Sequence, residues 1–231
     1  MRKVDQFRQA LRSGGEGELQ RFLELCPRPL HVVFNEGWND YFALPQFQFG
    51  PDYRADFVIL SLHSGAWNAC FIELKSPSAH LYLRDGTESR ALRTALRQVK
   101  DWSRWIERDQ SRIIEALRRG VRLAREKGES IPENPPGPGL GGLLDLGTVI
   151  HTEYAIVISR RTKLNDSDNE RRVNELRWGR GVEIVTYDRL LLALERDLKG
   201  AREIRKGKLK YAREQIRTPG RTQSELVPRS S

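Results

Sequence analysis

Apolar residues occur along this chain with two periodicities, one typical of strands and one typical of helices. Short runs that are nearly continuous in apolar residues, or that alternate apolar with polar ones, predict strands. The predicted strands are residues 30–34, 43–49, 54–62, 67–75, 153–159 and 182–186. Because only residues 63–66 separate the third run from the fourth, these two are predicted to form an antiparallel hairpin.

Other segments carry apolar residues three or four positions apart, which is the spacing of a helix face. The predicted helices are residues 4–12, 18–25, 87–127, 167–178 and 188–199. In the longest of them Leu92, Leu96 and Val99 share a face, and Gly120 is a candidate interruption. Strands and helices in this order predict an α/β fold with a mixed central β-sheet flanked by helices.

Composition predicts how the chain is divided. The expected parts are a basic N-terminal segment at 1–15, one large domain at 16–198, and a basic C-terminal helix or tail at 199–225. Within the domain, residues 128–147 are rich in proline and glycine, which predicts a mobile surface loop. Residues 226–231 resemble the remnant of a protease site used in expression, so no function is assigned to them.

The chain is strongly basic. Its 40 Lys and Arg against 31 Asp and Glu give a formal net charge of +9. This balance favours a polyanionic partner, because each cation set against a phosphate releases a condensed counterion. A basic charge also serves solubility alone, so both explanations stay open.

The sequence also predicts the compartment. The N-terminus lacks an apolar signal region, and no stretch approaches the ~18 apolar residues of a membrane helix. Cys26 and Cys70 lie in apolar surroundings without Cys-x-x-Cys spacing, which predicts free buried thiols rather than a disulfide or a zinc site. A cytoplasmic protein without a membrane partner is expected.

Two acids and a lysine stand out in the predicted hairpin. Glu73 and Lys75 are two residues apart, so their side chains point to the same face of a strand, and Asp56 on the preceding strand can reach that face. Burying such charges among apolar neighbours costs several kcal/mol per ion unless they pair or bind a metal. A surface acid at a strand end is the alternative for Asp56, and an exposed ion pair is the alternative for Glu73 and Lys75.

This Asp…Glu-x-Lys arrangement resembles the signature of the PD-(D/E)XK phosphodiesterases, in which two carboxylates hold a divalent metal. Hard oxygen ligands suit Mg²⁺ or Mn²⁺. The predicted ligands are Asp56, Glu73 and the backbone carbonyl of Leu74. Lys75 is predicted to orient the attacking water or to stabilise charge on the phosphorus.

The long predicted helix carries a further candidate. Gln98, Trp102 and Trp105 share one of its faces. A glutamine soon after Glu-x-Lys, followed four residues later by an aromatic residue, resembles the Gln-x-x-x-Tyr element of RecB-like nucleases, here with Trp102 in place of tyrosine. Gln98 would contact the Lys75 region or a DNA phosphate, and a surface glutamine is the alternative. The tryptophans are interpreted as core residues, and platforms for stacking bases are the alternative.

Charged residues outside the hairpin give the remaining candidates. Several families of the superfamily place another metal-site acid on an early helix, which makes Glu18 a candidate. A solvated helix charge is the alternative for Glu18 and the preferred interpretation of Glu24. The residues predicted to contact nucleic acid are Arg90, Arg93, Arg97, Lys206, Lys208 and Lys210.

Five segments together resemble the Shedu antiphage-defence proteins. The segments are residues 18–27, 54–58, 72–77, 95–102 and 181–191. The first is similar to the Glu-x-x-Leu-Gln-x-Phe-Leu-x-x-x-Pro opening of these proteins, the next two to their nuclease motifs, and the fourth to the helix that carries their glutamine. The last contains Thr186-Tyr187-Asp188 and resembles their closing Thr-Tyr-Asp-x-Leu motif.

The resemblance implies that 16–198 is a nuclease domain with a restriction-endonuclease-like core. It further implies nicking or cleavage of DNA with Mg²⁺ or Mn²⁺, a role in bacterial phage defence, and a homo-oligomer, either a dimer or a tetramer. Three alternatives stay open: a repair or restriction-type nuclease outside phage defence, a catalytically silent nucleic-acid-binding module, and a scaffold protein.

Overall fold

A computed structural model of the chain describes residues 2–13, 15–34, 41–63, 66–126, 150–174 and 181–198. The predicted loop 128–147, the tail 199–225 with its three lysines, and segment 226–231 lie outside these residues. The chain separates into two compact units, Met1–Leu194 and Glu195–Ser231. Of the second unit the described residues are 195–198, all helical. The predicted domain boundaries stay a prediction.

Seven helices and five strands are described. In chain order they are α1 (Lys3–Ser13), α2 (Glu16–Leu25), α3 (Arg28–Phe34), β1 (Tyr41–Phe49), β2 (Tyr53–His63), β3 (Ala66–Leu74), α4 (Arg90–Arg108), α5 (Gln110–Glu126), β4 (Ile150–Val157), α6 (Asp166–Asn174), β5 (Val182–Val185) and α7 (187–198), with a short 3₁₀ turn at Arg161–Lys163. None of the described helices is long and apolar enough to cross a membrane.

The five strands form one sheet in the order β1-β2-β3-β4-β5. The first three are antiparallel neighbours, and β3, β4 and β5 run parallel. The parallel step from β3 to β4 spans the segment that contains α4 and α5, as parallel neighbours require a long crossover connection. The predicted α/β fold with a mixed sheet and flanking helices is confirmed.

Helices α4 and α5 cover one face of the sheet. Val58 and Phe71, which point to that face, belong to the same buried cluster as Leu92, Val99 and Leu117. Because side chains alternate along a strand, the intervening residues of β2 and β3 point to the opposite face, where α3 contacts β2. This second face is buried as well, which explains why both strands are nearly continuous in apolar residues.

The predicted strand at 30–34 is wrong, because these residues belong to α3. Val32 and Val33 favour a strand on propensity. However, the Pro27 carbonyl accepts hydrogen bonds from the amides of Leu30 and His31, which starts a helix. Pro29 is tolerated in a first helical turn, where its missing N–H has no partner to lose.

The predicted helix 87–127 is two helices, and the break lies at Asp109 rather than at Gly120. Asp109 leaves the helical conformation (φ −149°, ψ 78°). Its carboxylate accepts hydrogen bonds from the Ser111 hydroxyl and the Arg112 amide, and so caps the start of α5. Gly120 lies inside α5, where a Cβ would be 3.0 Å from the ring of Phe47. The absence of a side chain at Gly120 therefore allows α5 to pack closely on β1.

Candidate active site

Asp56 and Glu73 face each other across the β2–β3 hairpin. They stand one position beyond the Phe57–Ile72 pair of the antiparallel register, so their side chains share one face of the sheet. The Leu74 amide donates a 2.8 Å hydrogen bond to Oδ2 of Asp56. In an extended strand the carbonyl of a residue points to the same side as its amide, so the Leu74 carbonyl also points towards Asp56.

Glu73 lies at the centre of the site and is buried, with 3% of its surface exposed. The Lys75 ammonium donates to Oε1 of Glu73 and forms an ion pair with it. The amide nitrogen of Gln98, on α4, donates a 2.9 Å hydrogen bond to Oε2. The structure therefore brings Asp56, Glu73, Lys75 and Gln98 together. Both carboxylate oxygens of Glu73 accept a hydrogen bond.

Each carboxylate in this site makes the ionised form of its neighbours less favourable. Burial raises the pKa of Glu73 to about 7, and the nearby charge of Asp56 adds to the increase, while the Lys75 ammonium opposes it. Burial also raises the pKa of Asp56, against the hydrogen bond from the Leu74 amide and the charge of Lys75. Burial lowers the pKa of Lys75, but the bond and charge of Glu73, with Glu16 and Asp56, outweigh this and raise it. The site therefore concentrates negative charge that Lys75 only partly balances.

The acid that α2 contributes to the site is Glu16, whereas the sequence prediction placed this role on Glu18. The Ser76 amide donates to the Glu16 carboxylate, and burial raises the pKa of this group while the Lys75 charge lowers it. Glu18 instead accepts a hydrogen bond from the Ser13 hydroxyl. The predicted surface acid Glu24 is exposed and accepts a 2.9 Å bond from Gln20.

A signal for Glu16 is present in the sequence. Glu16, Leu19 and Leu23 are spaced i, i+3, i+7, so they share one face of α2, and both leucines are fully buried. Glu18 lies about 100° around the helix from Leu19. The packing of α2 thus turns Glu16 towards the hairpin, where Gln20 also approaches the Asp56 carbonyl at 3.5 Å.

The backbone of Lys75 is held from both sides. Its amide donates a 2.8 Å bond to the Val157 carbonyl at the end of β4. Its carbonyl accepts a 2.9 Å bond from the Tyr187 hydroxyl. Tyr187 is completely buried at the start of α7. It was recognised in the sequence as part of a motif, and its contact with Lys75 was not predicted.

The next residue of the same motif, Asp188, binds the segment that follows β4. Its carboxylate accepts hydrogen bonds of 2.7 and 3.0 Å from the Arg160 guanidinium and one of 2.6 Å from the Arg161 amide. Burial raises the pKa of Asp188, but these bonds outweigh it and lower the pKa below the ordinary value. Asp188 therefore fixes the start of α7, which positions Tyr187 next to Lys75.

Two residues next to the site have an unusual backbone conformation. Gln46 (φ 47°) and Ser159 (φ 66°) are the non-glycine residues with positive φ in the described part of the chain. The side-chain amide of Gln46 approaches Oδ1 of Asp56 at 3.4 Å. The backbone amide of Ser159 donates a 3.3 Å hydrogen bond to the Ser76 carbonyl. Left-handed backbone at ordinary residues costs of order 1–3 kcal/mol each and is concentrated at functional sites.

The three predicted arginines lie on α4 and are exposed. Arg97 lines a groove that also contains Gln98. Arg90 is in the first turn of the helix, on the flank that Arg97 and Gln98 share. Arg93 lies farther round the helix, where its guanidinium donates a 2.8 Å bond to the Glu88 carbonyl. The predicted lysines Lys206, Lys208 and Lys210 lie outside the described residues.

The site offers two carboxylates to a metal ion rather than three. Within the described ranges, no three His, Cys, Asp or Glu side chains form a cluster that could hold a metal. Mg²⁺ keeps several of its waters and needs only one or two carboxylates. Asp56 and Glu73, with the Leu74 carbonyl, are therefore the groups that could hold such an ion. Their raised pKa values fit a cation as well, because added positive charge would relieve their repulsion.

Comparison with known protein families gives a match. The family described as Shedu protein SduA, C-terminal, matches residues 14–191. No curated protein matches the chain. The matched residues run from the start of α2 to α7 and so include every residue of the site described above. The chain therefore belongs to the Shedu SduA C-terminal family, and this membership implies a role in antiphage defence.

Proposed function

We propose that the protein is a Mg²⁺- or Mn²⁺-dependent DNA endonuclease that acts in antiphage defence through a restriction-endonuclease-like PD-(D/E)XK core. The convergence of Asp56, Glu73 and Lys75 at the end of one hairpin supports the proposal most directly. Family membership supports the biological role.

In this proposal each residue has a separate task. Asp56 and Glu73 would hold the metal, together with the Leu74 carbonyl. When bound, the metal would polarise the phosphoryl oxygen and lower the pKa of the attacking water. Lys75 would orient that water or stabilise negative charge on the phosphorus as it develops. Gln98 would keep the Glu73 carboxylate in one orientation.

Glu16 and Tyr187 would act around this set. Glu16 adds negative charge beside Lys75 and Asp56, where it would hold a metal-bound water or the Lys75 ammonium. Tyr187 fixes the Lys75 carbonyl and so limits where the ammonium can move. Because Tyr187 is buried at the start of α7, it is a positioning residue and not a group that meets the substrate.

The test is incubation of supercoiled plasmid DNA with the protein and Mg²⁺ or Mn²⁺. Glu73→Gln and Lys75→Ala should each slow the loss of supercoiled plasmid by at least about 100-fold. Glu153→Gln is the matched control, because Glu153 is an exposed acid on the neighbouring strand β4. Equal cutting by the wild type and both site variants would exclude this active site.

The proposed setting is the cytoplasm, and the proposed assembly is a homo-oligomer. Cys26 and Cys70 are both free and buried, which fits a reducing compartment. Sedimentation equilibrium of the purified protein would test the assembly, and a mass equal to that of one chain at micromolar concentration would refute it.

A further inference from the structure

A groove runs beside α4, between this helix and the turn that joins β1 to β2. It begins at Gln98, whose amide contacts Glu73, and its volume is ≈ 530 Å³. The lining residues used to define this α4 groove are Gln48, Tyr53, Arg54, Arg97, Gln98 and Trp102. Sites that hold one small organic ligand are about 300–1,000 Å³, so the groove has room for a single nucleotide.

Two aromatic rings form the apolar part of the α4 groove. Trp102 is almost completely buried, so its ring forms the floor. Tyr53 is half-buried, with its ring centroid 6.1 Å from those of Trp105 and Phe49. These contacts hold the Tyr53 ring in place. A base stacked on a fixed ring requires little further ordering of the protein.

The rim of the α4 groove carries two arginines. Arg54 is exposed and lines the groove from β2, two residues before Asp56. Arg97 is exposed on α4, one residue before Gln98. A planar guanidinium suits bidentate contacts to a phosphate. Two arginines at the rim, one of them next to Gln98, can therefore bind the phosphates of a nucleotide strand.

The same rim also carries two acids, Asp52 and Asp101. Asp101 is 3.7 Å from Arg104, and both side chains of this pair are about half exposed. Two carboxylates balance two guanidiniums, so the groove is not a general polyanion surface. Carboxylate and amide groups such as Asp101 and Gln48 can instead bind the amino groups on the edge of a base.

We infer that the α4 groove binds one unpaired nucleotide of the strand that is cut, next to the scissile phosphate. In a duplex, stacking covers both faces of each base and pairing occupies its Watson–Crick edge. A groove that combines a fixed aromatic ring with polar groups for that edge therefore fits a base that is free of its partner. The inference rests on the proposed nuclease function and adds the form of substrate that the site accepts.

The experiment measures binding without cutting, by fluorescence anisotropy in EDTA. The probes are a single-stranded DNA of about twelve nucleotides, the same sequence within a hairpin duplex, and a single-stranded RNA of that sequence. The variants are Arg97→Ala, which removes an exposed side chain, and Tyr53→Leu, which keeps an apolar residue in place of the ring. Arg122→Ala on α5 is the control, because it removes an exposed arginine that does not line the groove.

The wild type should bind at least one of the single strands about tenfold more tightly than the hairpin, and either groove variant should weaken that binding about tenfold. Arg122→Ala should stay within about twofold of the wild type. The ratio of DNA to RNA binding identifies the sugar that the groove accepts. Equal affinity for single strands and hairpin, or wild-type binding by both groove variants, would overturn the inference. Groove-dependent binding by a wild-type protein that cuts no DNA with metal would support the groove and refute the nuclease proposal.

Discussion

The hydroxyl of Tyr187 donates a 2.9 Å hydrogen bond to the backbone carbonyl of Lys75, although the two residues are 112 positions apart in the chain. The bond joins the Thr-Tyr-Asp motif at the start of α7 to the Glu-x-Lys motif at the end of β3. Two sequence motifs that look independent are therefore parts of one structure, in which the second motif holds the backbone of the first.

Replacing Tyr187 with Phe should lower both stability and activity. The change removes only the hydroxyl and leaves the Lys75 carbonyl without this donor, which should cost about 1–3 kcal/mol in the free energy of unfolding measured in urea. The Lys75 ammonium should also become less well placed, so the rate of plasmid cutting should fall even at temperatures where the variant is fully folded.

Tyr154→Phe is the control for this prediction, because Tyr154 is a half-buried tyrosine on β4 whose hydroxyl bonds to Thr152 rather than to the site. If Tyr187→Phe and Tyr154→Phe cut DNA at the same rate, Tyr187 does not position Lys75 for the reaction.

The stability of the metal-free protein should fall as the pH rises from about 4.5 to about 7. The pKa of Glu73 is raised from 4.5 to about 7 in the folded protein. The folded state therefore binds more protons than the unfolded state across this interval, and the free energy of unfolding decreases with pH. The expected decrease is about 3 kcal/mol, measured by urea unfolding in EDTA.

Glu73→Gln provides the comparison for this pH profile. Glutamine has no proton to lose, so most of the decrease should disappear in the variant. A wild-type unfolding free energy that rises with pH through this interval would contradict the raised pKa of Glu73.

Binding of Mn²⁺ should depend on pH over the same range. A metal ligand must be deprotonated, so the proton on Glu73 competes with the metal below its pKa of about 7. The apparent affinity should increase about tenfold from pH 6 to pH 8 and change little above that. Calorimetry in two buffers of different ionisation enthalpy would also detect the released proton, and an affinity that is constant across this range would argue against Glu73 as a ligand.

Two acids on α2 make a matched pair of variants. Glu16→Gln should weaken Mn²⁺ binding or plasmid cutting about tenfold, because it removes a carboxylate that acts on Lys75 and Asp56. Glu18→Gln should change neither by more than about twofold, since Glu18 bonds to Ser13 away from the site. If Glu18→Gln has the large effect and Glu16→Gln has none, the acid that α2 contributes to the site is Glu18, as the sequence predicts.

Gln98→Ala should reduce metal affinity or cutting by about 10–100-fold, the usual effect of removing a residue that orients a metal ligand. The reason is that Oε2 of Glu73 would lose its 2.9 Å bond to α4. Gln110→Ala is the control, because Gln110 is an exposed glutamine at the start of α5 that does not line the α4 groove. If both variants behave alike, the Gln98 contact has no role in holding Glu73.

The sequence by itself determined the hairpin and the three charges on it. The strands are long and strongly apolar, the residues between them form a short loop, and a strand repeats every two residues. Asp56, Glu73 and Lys75 could therefore be assigned to one face of the hairpin without knowledge of anything else in the protein. The face of α4 that carries Gln98 followed in the same way from helical spacing.

Only the tertiary structure decided which acid of α2 reaches the site and what holds Lys75. The rotation of α2 depends on where Leu19 and Leu23 pack, and the partner of Tyr187 depends on the order of strands in the sheet. The secondary structure of residues 30–34 also could not be predicted locally. Propensity favours a strand there, but the Pro27 carbonyl accepts the hydrogen bonds that start a helix. Local periodicity specifies which residues share a face, whereas contacts between elements distant in sequence are fixed by packing of the whole domain.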